Sequence, residues 1–227
     1  MEQFYTAVGR YEGRNGENGS YPVVMVNRKE YMVDVPEMII WTCCNWRILD
    51  FSRLEALSGK LAREAGLAPA DLKPYVNRLL QRGLIVTGLG DTGADALYDL
   101  LNGLYIVPVT CGVFVKALTF LKLILINRMP FHKAKTVFRQ EALSDREKRV
   151  VGLARQTQLS TAELIKCVET DVYDLSSDDK VMAALYDDDY TTCDNIGSYA
   201  MQFAQRIPVL ETVANLYLRK LILFERF

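Results

Sequence analysis

Two stretches of this chain, Tyr75–Val86 (YVNRLLQRGLIV) and Thr212–Leu223 (TVANLYLRKLIL), read alike. Aligned without a gap, Val76 falls on Val213, Leu79 on Leu216, Arg82 on Arg219, Leu84 on Leu221 and Ile85 on Ile222. Apolar residues three and four apart predict a helix with one buried face, and the apolar run that follows suits a strand. Asp71 is placed to cap the first of these helices, with Pro74 in its permissive first turn. Leu72, Val76, Leu79 and Leu80 form its inner face, Gly83 stops it, and Leu84-Ile85-Val86 opens the strand.

Upstream of the first copy, Ser52 with Glu55 reads as a capping box for a helix that turns Leu54, Leu57 and Leu61 inward and ends at Gly66. Pro36 opens an earlier helix through MIIWTCCNWR, with Ile40, Trp41 and Cys44 on one side. Before it, Val23–Val26 and Tyr31–Val33 are strand-like, and Asn27-Arg28-Lys29-Glu30 joins them as a hairpin. Residues 10–20, RYEGRNGENGS, have the composition of a mobile loop, so residues 1–20 are expected to be flexible. Around the second copy, helices are expected over Ser144–Thr157, Ser160–Glu169, Asp179–Tyr186 and Asn195–Gln205. Thr192 or Asp194 caps the last of these, Pro208 opens the repeat helix, and Leu221–Phe224 is its strand.

Leu104–Ile126 is apolar and long enough to raise the question of a membrane span. Pro108, Gly112, Lys116 and Lys122 argue against one. On a helix from Gly112, Lys116, Thr119 and Lys122 form a narrow stripe with Phe114, Leu118, Leu121 and Leu125 among the apolar remainder, which suits a core or dimer-interface helix. Met1–Gly9 has neither a charged leader nor an apolar core, so no signal peptide is expected and the location read is cytoplasmic.

The 227 residues are half hydrophobic and 24% charged, as in ordinary globular proteins, and the net charge of −1 is no nucleic-acid signature. The charges separate along the chain. Between Lys116 and Arg155 ten basic residues face three acids, and between Glu163 and Tyr190 nine acids face two lysines. The five cysteines (Cys43, Cys44, Cys111, Cys167, Cys193) include no C-x-x-C, and His132 is the one histidine, so reduced thiols are expected and no zinc site. Asp187-Asp188-Asp189 is contiguous rather than alternating, unlike a calcium loop. Gly88-Leu89-Gly90-Asp91-Thr92-Gly93 matches G-x-G-x-x-G between a strand and a helix. No acid ends the following strand to hold a ribose, so a glycine-rich turn is preferred to a nucleotide site. His132 lies among Lys133, Lys135 and Arg128, and no nucleophile elbow, phosphate loop or zinc-protease motif is present. Neither catalysis nor a cofactor is expected.

The order hairpin, three helices, strand over Tyr21–Thr87 resembles a bacterial winged-helix domain in the style of the multiple-drug-resistance repressors. Its leading hairpin is similar to the peptide-binding winged helix of ribosomal-peptide maturation, in which an extended leader peptide adds to the hairpin edge. The architecture expected is mainly α with small β-hairpins and wings. Two winged-helix modules (21–110 and 144–227) would be joined by a helical linker (111–143). The first resemblance implies a bacterial transcriptional regulator that binds double-stranded DNA as a homodimer. Lys73, Asn77, Arg78 and Gln81 face outward from the third helix and could read bases, and Arg82 could reach phosphate. Lys133, Lys135 and Arg139 would add phosphate contacts or a dimer surface. In the second copy the outward residues are Glu211, Thr212, Asn215 and Arg219, and Glu211 repels phosphate. The second resemblance implies a peptide- or protein-binding adaptor that accepts a strand on the Val23–Val33 edge. A nucleotide-binding enzyme using residues 88–93 ranks third.

Overall fold

A computed structural model describes residues 1–16, 19–67, 71–109, 142–188 and 190–227. Strand β1 (Glu2–Ala7) is followed by a three-stranded antiparallel meander, β2 (Arg10–Gly16), β3 (Gly19–Val26) and β4 (Lys29–Met32), with β3 in the middle. Helices α1 (Val35–Cys44), α2 (Phe51–Glu64) and α3 (Leu72–Gln81) lead to β5 (Ile85–Gly90), α4 (Gly93–Leu101) and β6 (Tyr105–Pro108). Beyond residue 141 come α5 (Asp145–Gln156), β7 (Leu159–Ser160), α6 (Thr161–Glu169), α7 (Asp178–Tyr186), α8 (Ile196–Ala200), α9 (Arg206–Leu218) and β8 (Ile222–Glu225). Among the described residues the result is helical with three small antiparallel sheets. Among the described residues no helix is long and apolar enough to cross a membrane.

The repeated stretch ends alike in both copies. Gly83 N–H donates to Leu80 O and Leu84 N–H to Leu79 O, both at 3.0 Å. At the equivalent positions Lys220 N–H donates to Tyr217 O at 2.8 Å and Leu221 N–H to Leu216 O at 2.9 Å. This is the Schellman pattern, which needs a left-handed residue just past the cap. Gly83 (φ 68°) and Lys220 (φ 61°) supply it. Val76, Leu79, Val213 and Leu216 are all buried.

The repetition reaches further than the aligned stretch. β1 pairs with β5 on one side and bridges Leu49 on the other, while β6 pairs with β8 and with β7. Even the registers agree. Tyr5 faces Thr87 and Leu49, as Ile106 faces Phe224 and Leu159; Ala7 faces Ile85, as Pro108 faces Ile222. Asp50 caps α2 directly after Leu49, as Ser160 caps α6 directly after Leu159. Along α1 and α5, buried Ile40, Trp41, Cys43 and Cys44 correspond to buried Val150, Val151, Leu153 and Ala154. α1 packs on α2 and α3, and α9 packs on α5 and α6.

Several expectations are corrected. Residues 1–16 are strands rather than a flexible segment, and Tyr5, Ala7 and Val8 are buried: pairing with β5 and β3 overrides the loop-like composition. Residues 105–108, assigned to the first module, complete the second sheet. The equivalents of α1 and α2 in the second half are α5 and α6, while α7 and α8 are insertions before α9. Asp50, not Ser52, caps α2, because Leu49 must stay extended to bridge Tyr5. The helix expected over 195–205 is confined to Ile196–Ala200. The linker helix and the dimer surface assigned to it, with Lys133, Lys135, Arg139, Cys111 and His132, lie outside the described residues.

One hydrophobic core runs through both halves. At its centre the Tyr217 hydroxyl of α9 accepts from Trp46 N–H (2.9 Å). It lies 3.0 Å from Thr6 Oγ1 and faces the carbonyls of Ala7 and Cys44. Burial pushes this phenol up to about 12. Val8 N–H donates to Leu84 O in the first half and Gly9 N–H to Phe224 O in the second.

A left-handed Lys costs about 1 kcal/mol that Gly does not. Gly83→Ala is therefore expected to destabilise the protein by about that amount, since a Cβ there meets only the Arg226 guanidinium, at 3.8 Å. Lys220→Gly should gain up to about 1 kcal/mol, less what is lost from the Lys220 contact with the Trp46 ring (5.4 Å). Urea titrations of the two variants check both signs.

Candidate functional site

The hairpin turn is tight. Asn27 and Arg28 both have positive φ (45° and 62°), so β3 and β4 are joined by a two-residue turn and Val26 faces Lys29. That geometry matches the twist of the strands it connects. Antiparallel pairs alternate between bonded and non-bonded, so Lys29 and Tyr31 spend their backbone groups on β3. Glu30 and Met32 direct theirs outward, along the edge beside α3.

Two arginines of α3 bind this edge to the helices. Arg82 Nη1 donates to Glu37 Oε2 at 2.9 Å, and Arg82 Nη2 donates to the outward carbonyl of Met32. Arg78 Nη1 donates to Asp34 Oδ2 at 3.2 Å and lies 3.4 Å from Glu37 Oε1. Glu37 is 2% exposed, and its Oε2 also accepts Asp34 N–H in the capping box of α1. Burying a carboxylate is tolerable only when it is paired and hydrogen-bonded. The site needs both arginines for that reason, and neither is a free cation. Arg82 also lies over the Tyr31 ring at 5.9 Å.

The remaining expected reader residues are placed as anticipated: Lys73, Asn77, Arg78 and Gln81 are exposed on α3. Arg82 is not a free phosphate contact, because Glu37 and Met32 hold it. In the second copy Thr212 is buried and donates to Pro208 O, and Arg219 pairs with Glu147, which leaves Glu211 and Asn215 as the exposed polar residues among those expected outward. α9 is a core helix, and of the two repeat helices only α3 presents a broad polar face.

A groove of about 310 Å³ runs between β4 and the end of α3, lined by Lys29, Tyr31, Gln81, Arg82, Arg226 and Phe227 among others. Met32 and Val35, 68% and 55% exposed, flank the same edge with apolar surface. The expected acceptor, the Val23–Val33 hairpin, is only partly available. β3 is enclosed by β2 and β4, so Val24 and Val26 offer no free edge, and of the two hairpin strands only β4 lies at an edge of the sheet.

The glycine-rich turn serves packing. A Cβ on Gly88 would lie 2.2 Å from Leu100 N, and one on Gly90 2.3 Å from Ala96 N, so these glycines let α4 rest on β5. β5 and β6 belong to different sheets, so no βαβ unit surrounds the turn. Thr92 caps α4, with Asp95 in the first turn and Glu2 alongside Gly93, an acidic surround at a helix N-terminus. Part of the acidic run is committed to internal bonds. Asp171 pairs with Arg149, Asp174 with Lys180 and Asp188 with Lys166, while Glu163 accepts Ser160 N–H and the Tyr186 hydroxyl. Among the described residues no three His, Cys, Asp or Glu side chains are gathered to hold a metal. Cys43, Cys44 and Cys167 are buried free thiols, Cys193 is an exposed one, and burial pushes Cys167 up to about 12.

Replacing Arg82 by Leu leaves Glu37 with Arg78 alone and is expected to cost about 2–3 kcal/mol. Arg82→Leu combined with Glu37→Gln should lose less than the sum of the two single variants, as measured by urea denaturation. Asp188 tests the acidic run. Lys166 Nζ, with the hydroxyl and N–H of Thr191, holds its carboxyl well below the ordinary Asp range. A depressed carboxyl contributes stability that is complete above its unfolded value, about 4, and is lost as the pH falls below that. Asp188→Asn should therefore flatten the acid limb of the stability–pH profile and lower stability at neutral pH.

Comparison of the chain with protein-family models, with curated proteins and with solved structures returned no match.

Proposed function

We propose that this protein is a polypeptide-binding adaptor built from two winged-helix-like units, in which the first unit takes an extended segment of a partner along β4. The observation that carries the proposal is an open sheet edge lying beside α3. Glu30 and Met32 present outward backbone groups there, exposed Met32 and Val35 flank them, and a groove separates the edge from Gln81 and Arg82. An edge strand of this kind gives affinity through main-chain bonds and specificity through alternate side chains. The edge is short and partly capped by Arg82, which is how proteins keep an edge from pairing indiscriminately. The winged-helix description is supported by the shared element order and the matched registers, with β1 and β6 standing where the second wing strand would lie.

A second reading keeps duplex DNA as the partner, favoured by the exposed row Lys73, Asn77, Arg78 and Gln81 on α3. Electrostatics weigh against it. Phosphate attraction supplies most of the non-specific term, and the α3 arginines are already neutralised by Asp34 and Glu37.

Amide spectra of the whole chain separate the two. With acetylated octapeptides in which valine alternates with glutamate, glutamine or lysine, the Glu30 and Met32 amides are expected to shift and to exchange more slowly for at least one peptide. Met32→Pro removes the outward N–H and should abolish the effect while the helices stay folded. If no octapeptide perturbs these amides, the adaptor reading falls. Salt-sensitive binding of a mixed-sequence duplex, lost on replacing Lys73, Asn77 and Gln81 by Ala, would put DNA in its place.

A further inference from the structure

The charges around the β4 groove are unevenly compensated. Arg10 and Arg14 pair with Glu12, Arg14 also with Glu30, and Arg78 and Arg82 with Asp34 and Glu37. Arg28, Lys29 and Arg226 are exposed, and among the described residues none of them has a carboxylate within ion-pair distance. Lys29 and Arg226 line the groove itself. Arg28 lines an adjoining cavity of about 380 Å³ that shares Asn27 and Phe227 with it. One side-chain carboxylate, Glu225, lines the second space, where it accepts the Asn27 N–H at 2.8 Å and shares the lining with Arg10 and Arg28, and none lines the first.

Two further observations bear on this. Arg28 occupies the second turn position at φ 62°, where Gly or Asn costs less. A long cation is thus kept at a conformationally unfavourable position whose side chain makes no ion pair within the described fold. Arg82 Nη2 sits on the Met32 carbonyl, the acceptor that an added strand would use. A partner N–H that displaced it from that carbonyl would turn Nη2 toward the groove, with Nη1 still on Glu37.

We infer that the segment bound on β4 is acidic: an extended polypeptide whose carboxylates meet Lys29, Arg226, Arg28 and the released arm of Arg82. This inference rests on the edge reading above and specifies the chemistry of the partner. The groove has Lys29, Arg82 and Arg226 and the rings of Tyr31 and Phe227 in its lining, and it adjoins the strand edge on which Glu30 and Met32 turn their main-chain groups outward. A carboxylate-bearing strand satisfies all three, whereas a lysine-bearing strand adds like charge to an uncompensated cluster.

The test is fluorescence anisotropy at physiological salt with the intact chain and four labelled probes. These are the alternating valine octapeptides carrying glutamate, glutamine or lysine, and an oligothymidylate of the same length. Three exposed ion pairs should make the glutamate peptide bind roughly tenfold tighter than the glutamine peptide, with the lysine peptide weakest. Lys29→Glu with Arg226→Glu should invert that order. Arg28→Gln with Lys29→Gln and Arg226→Gln should erase most of it, and because all these changes are on exposed side chains the circular dichroism spectrum should not move. Glutamine binding equal to or tighter than glutamate would overturn the acidic inference and leave the edge reading standing. Failure of every octapeptide to bind would overturn both. Oligothymidylate binding tighter than the glutamate peptide, and lost in the charge-reversed variant, would assign the groove to nucleic acid and overturn the inference.

Discussion

The structure turns on one buried hydroxyl. Tyr217 belongs to the second half, yet its oxygen sits among Thr6 and Ala7 of the first strand and Cys44 and Trp46 at the end of the first helix. A buried phenol must be hydrogen-bonded, and a buried backbone N–H such as that of Trp46 must find an acceptor. Each satisfies the other only if the two halves are seated in one orientation. The apolar surface around them is shared rather than divided: Phe224 stacks on Tyr217, and Trp46 reaches the Ile222 carbonyl. Hydrophobic contact alone would tolerate many arrangements of two similar units, whereas this polar knot tolerates few.

The same logic governs the groove. Glu37 is driven inward by its place on the inner side of α1, and its charge requires cations. α3 provides them, so the face of α3 nearest the hairpin is committed to holding β4 in place. Beside it remain the outward main-chain groups of the strand edge and the exposed side chains of Lys73, Asn77 and Gln81. The second unit shows the contrast: most of the circumference of α9 is buried, and Glu211 and Asn215 are among its few exposed residues.

Much of this was legible in local sequence. The repeated Val-x-x-Leu spacing, the Asp71 cap and the exposed Lys73–Asn77–Gln81 row follow from helical periodicity. The hairpin follows from the apolar alternation flanking Asn27–Glu30, although Lys29 and Glu30, read as part of the turn, belong to β4. What stayed hidden depends on partners far along the chain. RYEGRNG reads as loop because nothing nearby says it will pair with β3, and EQFYTA shows its role only once β5 lies beside it. Arg78 and Arg82 look like free cations until Asp34 and Glu37, more than forty residues earlier, are placed next to them. The equivalence of β1 with β6 escaped alignment because Tyr5 and Thr6 share no side-chain type with Ile106 and Val107. Only the register relates them.

The upstream strands impose an order on folding. In a wing made from consecutive strands, pairing is local and fast; here Glu2 waits for Gly90, and Tyr105 waits for Glu225. Loop closure over such distances is slow, and during it β1 and β6 expose unpaired edges. The β2–β4 meander and the α1–α3 bundle rest on local contacts, whereas β1 must wait for Ile85–Gly90 and β6 for Ile222–Glu225. A chain cut before Ile222 would leave β6 without its longer neighbour.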